Sequence, residues 1–414
     1  MRILFFASYP DLPIGYSRIG NIISNYLATS GHEIYYFGIS NYKSTEKVDR
    51  FIHPNITLID GLEEEAKLGN NELYGVNSIC DHINIIKPDI LFLYNDLIVI
   101  SRIFNNFIQK KIELNFKIIT YLDLVYPYEK INLIRHIDKF SDKIFVFSKY
   151  WKDNLLDIGL SEDKVDILPH GFDKKKFFPI DISDARKYFN FQPDDFIILN
   201  SNRNTYRKGI DKTIDAFICF LKKKNLASNI KLFLNMETIN SVESGYDILN
   251  QFEVSCIKNK IDFNYLINNH IFIKDTNNLK DYQLNYLYNA CDIGINTCVG
   301  EGFGLCNLEH GGIGKPQIVS DVGGLSDIFE SDYSIKIEPI GEYYVSNHTD
   351  YHGGYCKISK TDDYVDALDQ YYENKDLLIQ HGLKSENILS EKFNWDKILE
   401  DLGKKINEIY YKKL

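Results

Sequence analysis

From its amino end the chain alternates short apolar runs with longer amphipathic stretches. Residues 2–8, 33–39, 90–94, 117–121, 143–148 and 165–169 are dominated by branched aliphatic and aromatic side chains, and segments such as 19–30 carry a helical period. Runs of this length, spaced by helical patterns, read as strands buried on both faces of a parallel sheet. Residues 174–184 interrupt the rhythm with three lysines, Pro179 and two aspartates, and read as a linker. A second series follows at 196–201, 231–235, 270–273, 293–297, 317–320 and 334–337, with helical patterns at 210–224, 281–290, 306–314 and 362–372. The pattern predicts an α/β chain of two consecutive doubly wound domains, 1–180 and 181–394. Residues 395–414 form a last helix expected to pack back toward the first domain. In such sheets ligands bind beyond the carboxyl ends of the strands, so chemistry is sought in the strand-end loops.

Composition narrows the classes. Apolar residues make up 44% and charged residues 25% of 414, which excludes disorder and collagen-like repeats. Lys and Arg total 47 against 58 Asp and Glu, a net charge of −11, so a nucleic-acid partner is not expected. Any phosphate held must be small and gripped by a local cluster. Seven cysteines, an odd number without a Cys-x-x-Cys pair, read as reduced thiols in a cytosolic compartment. The ten histidines show no His-Glu-x-x-His spacing, so neither metal nor cofactor is expected. Pro10, Asp11 and Pro13 cut the first apolar run too short for a signal peptide, and it reads as a buried strand. No apolar stretch reaches the roughly 18–20 residues of a spanning helix. The expectation is a cytoplasmic protein, with peripheral contact at a membrane surface left open.

Candidate chemistry lies in three strand-end segments. In the densest, a strand ends near Asn296, a glycine-rich turn carries Glu301, Gly302, Phe303 and Gly304, and a helix beginning about Leu305 carries Glu309. Gly302 and Gly304 let backbone approach a ligand, and the helix start offers N–H groups to an anion. The two carboxylates can accept from paired sugar hydroxyls on either side of a bound phosphate; the alternative is two exposed glutamates favoured by the helix dipole. The second segment puts Arg203, Arg207 and Lys208 at another strand end, where a guanidinium and an ammonium can share phosphate oxygens. Arg207 is the most replaceable of the three and reads as facing solvent. The third, residues 8–18, leaves the first strand and offers Gly15; it lacks the Gly-x-Gly-x-x-Gly of nicotinamide dinucleotide sites.

On these residues the chain resembles glycosyltransferase family 4 of the GT-B fold. The Glu-x7-Glu element from Glu301 to Glu309, then Gly314-Lys315-Pro316, Ser320-Asp321 and Gly323-Gly324-Leu325, match its motifs. Arg203 with Lys208-Gly209 matches its Arg…Lys-Gly element, and His170-Gly171-Phe172-Asp173 is similar to its Asn-Gly-Val-Asp. The resemblance implies two Rossmann-like domains facing across a cleft and a retaining, metal-independent transfer of a hexose from a nucleotide-diphosphate sugar. GDP-mannose is slightly favoured over a UDP-hexose as donor; the acceptor is a glycan, lipid or small molecule. Glu309 would accept from ribose and Glu301 from the donor sugar. Arg203 and Lys208 would neutralise the leaving diphosphate, assisted by the backbone of Gly302, Phe303, Gly304 and Leu305 and by Gly15. Lys274 and Asp275 would border the base. Many relatives carry Thr-x-His-Asp where this chain has Thr120-Tyr121-Leu122-Asp123. Asp123 remains, as a sugar contact or a helix cap. Two rivals stay open: a non-catalytic sugar-nucleotide-binding protein, and a sugar-nucleotide epimerase or hydrolase.

Overall fold

The structure, a computed structural model, describes residues 1–414 apart from 44, 46, 70–71, 240–244, 275–278, 347–351 and 413–414. The chain forms two compact units. The first comprises residues 1–124, 130–170 and 395–414; the second comprises 125–129 and 171–394.

In the first unit, β1 (Arg2–Ser8), β2 (Glu33–Ile39), β3 (Ile56–Asp60), β4 (Ile90–Asp96), β5 (Lys117–Asp123), β6 (Lys143–Val146) and β7 (Val165–Ile167) form one parallel sheet. Its order among the described residues is β3-β2-β1-β4-β5-β6-β7. The central strands are apolar at nearly every position because helices cover both faces: Ile3–Ala7 and Ile90–Leu93 are fully buried. The edge strand β3 is half-exposed, and its weaker apolar run left it unpredicted. The helix Trp395–Tyr411 turns a buried stripe of Ile398, Leu402 and Ile406 inward, and Lys405 reaches Asp166 at 3.2 Å.

The second unit holds β8 (Phe196–Asn200), β9 (Ile230–Asn235), β10 (Ile271–Lys274), β11 (Ile293–Asn296), β12 (Gln317–Ser320) and β13 (Ile335–Ile337), all parallel, in the order β10-β9-β8-β11-β12-β13. Ile198, Leu232, Ile293 and Ile318 from the sheet meet Ile214, Phe217 and Leu368 from helices in one core. An antiparallel hairpin of β14 (Gly341–Val345) and β15 (Gly354–Ile358) was not anticipated, since its strands expose most side chains and lack an apolar run.

The chain changes unit after His170, ahead of the expected 180, and 174–184 is no free linker. Phe172 bonds to the Phe393 carbonyl, Phe177 packs on Tyr288, and the amides of Phe178 and Ile180 donate to Asn285 and Asn289 at 3.1 and 2.9 Å. Two carboxamides one helical turn apart hold this segment, a pairing that composition does not reveal.

Candidate active site

The second sheet reverses its strand order at β8 and β11, which pair directly with Leu199 opposite Gly294. At such a reversal the loops leaving the two strands diverge and open a crevice. The basic turn follows β8 and the glycine-rich turn follows β11. Two clusters 93 residues apart in sequence thereby become neighbours.

Lys208 Nζ donates to Glu301 Oε2, with both side chains nearly buried, and Arg207 Nη1 lies 3.7 Å from Oε1. Arg207 also donates to the Gly300 carbonyl at 2.9 Å, so it does not simply face solvent. The 3-10 turn Tyr206–Lys208 directs its guanidinium back onto the 300–301 loop. Burial alone would push the Glu301 carboxyl up. The Lys208 ammonium, the Arg207 guanidinium and an Asn296 hydrogen bond outweigh it and hold the group below the usual carboxylate range.

Glu309 is buried within the helix Leu305–Gly312 and accepts from the Tyr288 hydroxyl at 3.1 Å. The helix opens at Gly304, whose φ is +96° and whose added Cβ would lie 2.5 Å from Leu325 Cδ2. Only glycine fits there, and having no side chain it provides no cap, so the first turn presents an anion-accepting end. Gly302 and Phe303 are buried beside it; the Phe303 ring sits edge-on to Phe393 at 5.7 Å, leaving its backbone as the part that could meet a ligand. Leu305 is half-buried as the first helical residue. Burial pushes the thiols of Cys298 and Cys306 up to about 12, which disfavours thiolates at this site.

Arg203 is exposed on the turn after β8, between buried Asn202 and Asn204. Asn204 pins that turn by donating to the carbonyls of Glu237 and Tyr246 at 3.1 and 2.7 Å. Lys274 ends β10 with its ammonium 5.9 Å from the Phe189 ring centre. Asp275 lies outside the described residues.

In the first unit Asp123 is the last residue of β5 and accepts from the Tyr16 hydroxyl at 2.7 Å. Burial, then the charges of Asp123 and Asp96, push the Tyr16 phenol well above its ordinary value, so it remains a donor. Capping does not account for Asp123, because the next helix begins at Ile131 with Lys130 at its N-cap. Asp96 is a cap, accepting from the amides of Ile98 and Val99 at 3.0 and 3.1 Å. Gly15 opens the helix Gly15–Thr29, which has no side-chain cap. Leu122 is core, and His170 is enclosed by Tyr94, Tyr121 and Phe147, where burial pushes it down to about 3 and keeps it neutral.

Sequence reasoning missed Tyr288, Asn296 and Tyr16 as partners of the three carboxylates. Asn296 and Tyr16 lie in segments singled out as strand exits, but Tyr288 had no signal beyond its place on an amphipathic helix.

Residues 181–385 match the family model described as glycosyl transferases group 1. Over 202 residues the chain is 29% identical to an uncharacterized glycosyltransferase of Methanocaldococcus jannaschii, covering 46% of this chain and 45% of that protein. Over 178 residues it is 28% identical to the mannosylfructose-phosphate synthase of Agrobacterium fabrum, covering 41% and 35%. The chain thus spans less than half the length of these curated relatives. Among solved structures, sucrose-phosphate synthase from Thermosynechococcus elongatus superposes with a TM-score of 0.75 over 100% of both chains at 15% identity. Anabaena HepE, in complex with UDP and glucose, superposes with 0.70 over 99% and 100% at 13% identity. WaaG, a glycosyltransferase involved in lipopolysaccharide biosynthesis, gives 0.65 over 100% of both chains at 13% identity. The fold is that of the GT-B glycosyltransferases. Among the described residues no helix is long and apolar enough to cross a membrane.

Proposed function

We propose that the chain is a retaining glycosyltransferase that moves a hexose from a nucleoside-diphosphate sugar to a hydroxyl of a glycan, lipid or small-molecule acceptor. One observation carries this reading. Two buried carboxylates, Glu301 and Glu309, flank an uncapped helix start, and the first is gripped by Lys208. The group 1 match spans all of these residues, and both curated relatives are named for sugar chemistry.

On this reading Glu309 accepts from the ribose hydroxyls and Glu301 from the hexose. Arg203, Lys208 and the helix start take up the charge growing on the diphosphate, where preorganised cations lower a barrier most. The bond from the anomeric carbon to the phosphate oxygen breaks. The acceptor oxygen bonds to that carbon on the same face, and its proton passes to the departing phosphate. No protein nucleophile and no resident metal or cofactor enters. Asp123, at the end of its strand, contacts sugar; Gly15 keeps the diphosphate contact that the resemblance implies, and Lys274 and Asp275 border the base.

GDP-mannose and UDP-hexoses are both candidate donors. The neighbour bound to UDP and glucose makes UDP-glucose the first to set beside GDP-mannose. A panel of nucleotide sugars screened by thermal melting should show one class raising Tm, because a ligand that binds only the folded state stabilises it. Transfer with that donor should be lost in Glu309→Ala and Arg203→Ala while the fold is kept. Undiminished turnover in both variants overturns the assignment, and binding without turnover on any acceptor favours a binding protein.

A further inference from the structure

A path of buried polar groups runs from Asn296, beside Glu301, to Glu309, passing through the main chain and side chain of Tyr288. Asn296, at the end of β11, faces the Glu301 carboxylate and donates to Asn307 Oδ1 at 2.7 Å. Asn307 Nδ2 donates to Gln317 Oε1 at 2.8 Å, and Gln317 Nε2 to His310 Nδ1 at 3.1 Å. That contact leaves the His310 proton on Nε2, which donates to the Tyr288 carbonyl at 3.1 Å. The Tyr288 hydroxyl closes the path on Glu309 Oε2. The five intervening side chains are 0–4% exposed and come from β11, β12 and two helices. From Asn296 to Glu309 every link runs in one donor sense, so no member can turn over without leaving a buried group unpaired. Gly294 makes the room: a Cβ there would lie 2.1 Å from Gln317 Oε1.

We infer that Asn307, Gln317 and His310 are positioning residues, a relay that fixes Glu301 and Glu309 in one register so that both ends of a nucleoside-diphosphate sugar are held together. None of the three needs to touch the ligand. The inference rests on the functional reading above, because it supposes that both carboxylates hold one ligand.

A double-mutant cycle on nucleotide binding tests it. UDP and GDP are titrated calorimetrically into the full chain and into Gln317→Met, Glu309→Gln and the double variant. Gln317→Met keeps the side-chain length but can make neither relay bond. Acting through Glu309, it should weaken binding about tenfold alone and less than about twofold once Glu309 is altered, the non-additivity of coupled neighbours. A purely structural role predicts the same loss in both backgrounds, and that result overturns the relay while leaving the functional reading intact. If neither nucleotide binds the unaltered chain, the functional reading fails and the relay falls with it. Asn307→Leu breaks the path at another link and should reproduce the cycle. A Gln317→Met protein that does not fold, together with an additive Asn307→Leu cycle, also counts against the proposal.

Discussion

Replacing Lys208 by Met removes one half of a buried ion pair and leaves the other in place. Glu301 and Lys208 expose 8% and 10% of their side chains, so water cannot replace the lost partner. Breaking such a pair costs about 3–5 kcal/mol. Arg207 at 3.7 Å and Asn296 still face the carboxylate, which puts the expected loss at the lower end, about 3 kcal/mol. For a unit of this size that is a fall in Tm of about 6–12 °C. The sign with pH is distinctive. In the unaltered protein the Glu301 carboxyl is held below its ordinary value of 4.5, so its contribution is present above that pH and is lost as pH falls through the lowered folded value. Without Lys208 burial dominates and the folded value rises, so the variant should lose stability as pH climbs from 4.5 through that raised value. The gap in Tm should therefore be large at pH 8 and should narrow toward pH 5. Adding Glu301→Gln to Lys208→Met should restore most of the stability at pH 8 without restoring transfer. A gap independent of pH, or a double variant no more stable than the single one, refutes the idea that Lys208 keeps a buried charge ionised.

Tyr288→Phe deletes the hydroxyl that donates to buried Glu309; nucleotide affinity measured by calorimetry should fall about tenfold, the scale of a hydrogen bond to a charged group, and Tm should fall by a few degrees because a buried carboxylate loses a donor. Gly304→Ala must adopt a φ of +96° with its Cβ 2.5 Å from Leu325, so thermal melting should show a loss of at least about 1–3 kcal/mol, and retained stability would mean that the turn has another conformation. Burial pushes His170 and His310 from 6.5 down to about 3; their neutral forms stabilise the fold above pH 6.5, and that stability drains away as pH falls toward 3. Tm followed from pH 7 to pH 4 should drop less steeply in His310→Gln, and an unaltered acid limb counts against a buried neutral imidazole.

Legibility followed the strength of the local signal. Strands such as 2–8 and 90–94 were plain because burial on both faces demands an unbroken apolar run. β3 and the β14–β15 hairpin, half-exposed, carried no such pattern. The Glu301–Glu309 turn was visible because glycine is required where backbone turns left-handed at Gly304. Arg207 looked dispensable because a sequence does not say which way a side chain leaves a one-turn helix.

By itself the sequence determined two doubly wound units, the strand ends that carry charge, and the glycines at the start of the helix that carries Glu309. These follow from periodicity and from backbone sterics, which act over a few residues. The tertiary structure alone decided that β8 lies beside β11, that Lys208 and not solvent faces Glu301, and that Tyr16 reaches Asp123 across 107 residues of chain. Pairing across such separations depends on strand order and on the packing of whole helices, and no short stretch of sequence holds that information.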